Sequence, residues 1–92
     1  MTIETPEIQV GETLLSFVRG TVEKLGSVSS LMLAASVTLK VNNTNSRENM
    51  ICQVRAVVSG KQLFAERHAS TFKEAAMKAV EDMKRQLIGL RT

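Results

Sequence analysis

Few residues of this chain have types that could carry reaction chemistry, and their spacing argues against it. There is one cysteine, Cys52, and one histidine, His68, the minimum for a thiol nucleophile beside a base. Between Met50 and Val58 apolar residues alternate with polar ones, and this period of two puts Cys52 on the inward side of a strand. His68 falls on the outward side of the next strand, so a sheet separates the two. Cys52 therefore reads as a small buried hydrophobe, and His68 lacks the surrounding ligands a metal site needs. Glu81 and Asp82 are adjacent, but consecutive helical residues point about 100° apart and do not converge as an acid/base pair. The five glycines, at 11, 20, 26, 60 and 89, form neither a dinucleotide fingerprint nor a phosphate-binding loop. No catalytic residue, metal or cofactor is expected.

Cations are the remaining functional material. The 92 residues carry a formal charge of +3, unevenly spread. Residues 1–46 have three basic side chains (Arg19, Lys24, Lys40) against four acids, whereas residues 47–92 have nine against five. A basic half points to a polyanion such as nucleic acid, while mild basicity serving solubility alone is the competing reading. Lys73, Lys84 and Arg91 are 11 and 7 residues apart, which brings them within roughly 20° of one another around a helix and makes a stripe along one flank. Lys78 and Arg85 lie further round, where Glu74, Glu81 and Asp82 partly neutralise them. Met77 and Ile88 form an apolar strip that the helix's own core does not require.

The elements that would position these residues follow from periodicity. Thr2 to Thr5 is a marginal edge strand ended by Pro6. Gly11 to Leu25 spaces Leu14, Val18, Val22 and Leu25 as one helical face, with Gly26 as its stop and Ser27 to Ser30 as a loop. Leu31 to Val41 alternates, with Leu31, Leu33, Ala35, Val37, Leu39 and Val41 inward. The polar run NNTNSREN (42–49) reverses the chain into the strand Met50–Val58, and a turn at Ser59, Gly60 and Lys61 leads to a third strand. Thr71 and Glu74 are spaced as a capping box for a helix starting at Phe72, with Glu74–Lys78 and Glu81–Arg85 as i,i+4 pairs. The expected fold is α+β, βαβββα, an antiparallel sheet with two amphipathic helices on one face in a single domain over residues 1–92. The other sheet face, bearing Thr38, Lys40, Gln53, Arg55, Val57, Gln62, Phe64, Glu66 and His68, stays wet. Aromatics make up only 3% of the chain, so base stacking on an aromatic sheet has little material. With a single cysteine and neither a leader nor a membrane span in view, a reducing cytoplasm is the expected location.

This order of elements, together with Phe17-Val18, Glu23-Lys24-Leu25, Leu39-Lys40-Val41, the run Gly60 to Glu66, Ala79-Val80-Glu81 and Arg85-Gln86-Leu87, resembles the short ribosome hibernation-promoting factor and ribosome-associated inhibitor family. The resemblance implies a cytoplasmic protein of bacterial type that binds the small ribosomal subunit through its 16S rRNA. It would sit in the channel for mRNA and tRNAs and keep an idle ribosome out of translation under stress. Carried over by position, Lys24, Lys40, Lys84, Arg85 and Arg91 would be the phosphate-binding residues. The chain departs from the family where Gly89 replaces one of the basic residues near the helix end, and where Thr71, Lys73 and Met77 stand at places that commonly hold Asp, Tyr and Asp.

Two other readings stay open. One is a non-catalytic interaction module, in simplest form a homodimer centred on Phe64, with Met77 and Ile88 as further interface residues. The other is a double-stranded RNA-binding domain, whose αβββα order is shared and whose second helix Lys73-Glu74-Ala75 resembles. That family grips phosphates with several lysines at the helix start, where this chain has one beside Glu74.

Overall fold

Two periods of hydrophobicity, two and 3.6, become two layers in the computed structural model, which describes residues 2–5, 11–28, 32–41 and 49–89. The elements are β1 (Thr2–Glu4), α1 (Glu12–Glu23), α2 (Leu25–Val28), β2 (Met32–Val41), β3 (Met50–Val58), β4 (Lys61–Ala69) and α3 (Phe72–Gly89). The strands form one sheet in the order β1-β2-β3-β4. β2, β3 and β4 are an antiparallel meander, with Leu39 opposite Cys52 and Val54 opposite Ala65. β1 joins β2 in parallel, Ile3 opposite Val37, so the sheet is mixed rather than wholly antiparallel. The cause is connectivity, because a strand that returns to its own sheet through a helical crossover runs parallel to its neighbour.

The core lies between the sheet and the helices. Val18, Val22 and Leu25 descend from α1 and α2, while Val37, Leu39, Cys52, Val54 and Ala56 rise from the sheet. α3 contributes Ala75, Ala76, Ala79, Met83 and Leu87, all buried, and its three small alanines let the helix backbone approach the strands closely. Thr71 caps α3 as its spacing requires, its Oγ1 accepting from the Glu74 amide at 3.2 Å. In the β3–β4 turn only Gly60 has a positive φ, +76°, a conformation that a side chain would strain.

Three local expectations give way. A bulge between Met32 and Ala34 breaks the alternation of β2. Leu33, expected inward, is 73% exposed, and Met32 packs on the core in its place. Gly26 does not stop the first helical segment. The helix breaks at Lys24 instead, and Leu25–Val28 forms a further helical turn that runs through Gly26 and keeps Leu25 buried. Ile51 is also buried although its parity places it on the open face, in register with Lys40 and His68. Leu31, Pro6 and most of the polar run 42–49 lie outside the described residues.

Candidate nucleic-acid interface

Two surfaces of opposite construction present the cations. On the helical side, α1 and α3 lie over the same sheet face, and a groove of about 460 Å³ runs between them. It is lined by Thr21, Lys24 and Leu25 from the first helical segment and by Met77, Val80, Glu81 and Lys84 from α3. Leu25 and Val80 are buried, so the floor is apolar, whereas Lys24 and Lys84 are exposed, one from each wall. Nearby, the Lys73 ammonium lies 5.0 Å from the centre of the Phe17 ring, a cation–π contact that ties the start of α3 to α1. Thr21 donates its hydroxyl to the Phe17 carbonyl at 2.8 Å, a bond within its own helix.

Met77 and Glu81 form a ridge along α3 that separates this groove from a second depression lined also by Arg67, Lys78, Asp82 and Arg85. The charges there are largely matched. Arg67 on β4 donates to Asp82 at 2.9 Å, Arg85 lies 3.7 Å from the other carboxylate oxygen of Asp82, and Lys78 pairs with Glu74 at 3.2 Å. The pair Glu74–Lys78 is thus the one its spacing predicts, whereas Arg85 turns to Asp82 rather than to Glu81. Asp82 is among the acids expected to neutralise this pole of the helix, whereas Arg67 has no such expectation attached to it. The inward parity of Leu63 and Ala65 extends to Arg67, and that was the available signal that its side chain lies on the helical side.

The open sheet face carries Lys40, in register with Ile51, which in turn stands opposite His68. It also carries Arg55, 5.6 Å from the centre of the Phe64 ring, and Gln53, which donates to Glu66 at 2.8 Å. Of the residues expected to bind phosphate, Lys24 and Lys84 are therefore brought together and Arg85 lies across the ridge. Lys40 is on the far side of the sheet, and Arg91 lies outside the described residues. Of the expected interface residues, Phe64 is 45% exposed on the open face, whereas Met77 and Ile88 are exposed on α3, so the three do not form one patch. The outer edge of β4 is also partly covered, because Gln86 of α3 donates to the Phe64 carbonyl at 2.9 Å and occupies an acceptor that a further strand would use.

Cys52 is buried, and burial pushes its thiol from 9.0 up to about 12, so it carries no thiolate at neutral pH. Among the described residues no group of three His, Cys, Asp or Glu side chains is placed to hold a metal ion. No helix among them is long and apolar enough to cross a membrane.

Comparison with known proteins gives three findings. A family model described as Sigma 54 modulation protein / S30EA ribosomal protein matches residues 1–92. Among solved structures, the N-terminal domain of Protein Y from Thermus thermophilus superposes with a TM-score of 0.80 at 13% identity, covering 97% of this chain and 94% of that one. A ribosomal subunit interface protein from Coxiella burnetii gives 0.84 at 10% identity, covering 99% and 98%. At such identities the likeness is one of fold. A comparison with curated protein sequences found no match.

Proposed function

This chain belongs to the Sigma 54 modulation protein / S30EA ribosomal protein family, and we propose that it binds the ribosome as a hibernation factor that inhibits translation. The observation that carries the reading is the match of the family model across residues 1–92. The small subunit is the target, and the phosphates of its 16S rRNA are the ligands. The factor occupies the channel used by mRNA and tRNAs and acts by exclusion, without a catalytic step. It works in the cytoplasm, where ribosomes are.

The distribution of cations supports this reading. Binding to rRNA backbone needs cations held on a rigid frame and no reading of base edges, and most of its affinity comes from releasing counterions. Lys24 and Lys84, on the two walls of the helical groove, supply such a frame. Arg85 adds a cation across the ridge, and Lys40, on the opposite sheet face, meets the other wall of an enclosing channel. Arg91 would add a further cation.

The test is co-sedimentation of the folded protein with purified small subunits at low salt, alongside cell-free translation with added protein. The reading requires association and suppressed translation, with mRNA competing for the same subunits. Folded protein in excess that stays unbound at low salt refutes it.

A further inference from the structure

The groove between α1 and α3 carries, beside its cations, one exposed apolar side chain that the core does not use, Met77. Met77 is 56% exposed at the groove wall beside the buried side chains of Leu25 and Val80. We propose that this groove receives one unstacked nucleobase of a single-stranded RNA segment while Lys24 and Lys84 hold the phosphates on either side. The inference rests on the ribosome-binding reading and specifies which form of RNA meets that surface.

Shape, charge and chemistry each favour this occupant. A volume of about 460 Å³ falls within the range of roughly 300–1,000 Å³ typical of sites that enclose small ligands. Met77 supplies exposed apolar surface between two cationic rims, above a floor closed by the core residues Leu25 and Val80, and that order matches a nucleotide's flat base between charged phosphates. Flipped or splayed bases are held between apolar side chains as well as aromatic ones, and the polarisable thioether of Met77 suits a π-face. Glu81 supplies an acceptor at the groove edge, because the cation one turn along, Arg85, pairs with Asp82. A carboxylate there accepts from a base's amino group, as Glu and Asp do from cytosine. Duplex RNA keeps its bases stacked and could present only backbone to the groove.

The experiment measures binding to small ribosomal subunits over a salt series for the wild type, Lys84→Gln, Met77→Ser and Met77→Leu. Phosphate contacts set the slope of log affinity against log salt, whereas base burial adds affinity that salt does not screen. Lys84→Gln is expected to make the slope shallower by about 0.7. Met77→Ser is expected to weaken binding about tenfold at every salt concentration with the slope unchanged. Met77→Leu, which keeps the apolar surface and loses only the thioether, should lose less affinity than Met77→Ser. A short oligocytidine should displace the wild type from subunits better than a duplex of equal phosphate number. If Met77→Ser binds like the wild type while Lys84→Gln still flattens the slope, the base pocket is refuted and the ribosome-binding reading stands. If Met77→Ser weakens binding but oligocytidine does not compete, the groove takes a ribosomal protein side chain and the proposal is overturned. If the wild type does not bind subunits at all, the ribosome-binding reading fails first and the pocket with it.

Discussion

Cys52 shows how little chemistry a side chain retains once the fold has absorbed it. With its thiol raised to about 12 by burial, it should resist alkylation in the native protein at neutral pH and react only when the domain unfolds, which a thiol-labelling time course with and without denaturant would check. The same shift has a sign for stability. The unfolded thiol ionises near 9.0 while the folded one stays protonated to about 12, so this residue's contribution is complete below pH 9 and declines as pH rises through that interval. Packing makes a sharper contrast at two leucines of β2. Leu39 is fully buried, so Leu39→Ala should cost about 2–5 kcal/mol in denaturant unfolding. Leu33 protrudes at the bulge, so Leu33→Ser should change stability by no more than about 0.5 kcal/mol. Alternation alone would make the two equivalent, and equal losses would restore that reading.

At the scale of elements, the sequence is legible where one force dominates and obscure where two compete. β3 apart from Ile51, β4 and α3 follow their hydrophobic periods, and Thr71 sits at the N-cap because its spacing to Glu74 leaves few alternatives. The bulge at Leu33 was not legible, because a one-residue slip leaves the composition of the strand unchanged while reversing its faces. The continuation through Gly26 was not legible either, since the cost of one helical glycine, about 1 kcal/mol, is offset by burying Leu25. In the candidate site, the cations of α3 were readable from helical geometry. That Lys78 and Arg85 would be partly neutralised was readable too, since Glu74 and Asp82 stand beside them, whereas the pairing of Asp82 with Arg67 was not, because it joins elements distant in sequence. Asp82→Asn should therefore have two effects. Loss of these partly exposed ion pairs should lower stability by about 0.5–1 kcal/mol in thermal unfolding. Release of Arg67 and Arg85 should tighten binding to small subunits and steepen its salt dependence. Unchanged stability together with an unchanged slope would show that the pairs matter to neither.

For the molecule as a whole, cations stand on both sides of the two-layer domain, and on the proposed reading this suits an object enclosed by its target more than one resting on it. The helical side offers Lys24 and Lys84 at a groove, and the sheet side offers Lys40 and Arg55. On that reading long-range electrostatics would supply most of the affinity, and the rigid frame would determine where the cations fall. The most direct measurement is the salt dependence of binding to small ribosomal subunits for the wild type, the double reversal Lys24→Glu/Lys84→Glu, and Lys61→Glu at the distant β3–β4 hairpin as a control that reverses one charge away from the groove. Contact with rRNA phosphates through the helical face predicts that the double reversal lowers affinity at every salt concentration and makes the slope shallower by about 1.4–1.8. Lys61→Glu should leave the slope as it is. A double reversal that binds with wild-type affinity and slope, or a control that loses as much as the double reversal, would contradict the account.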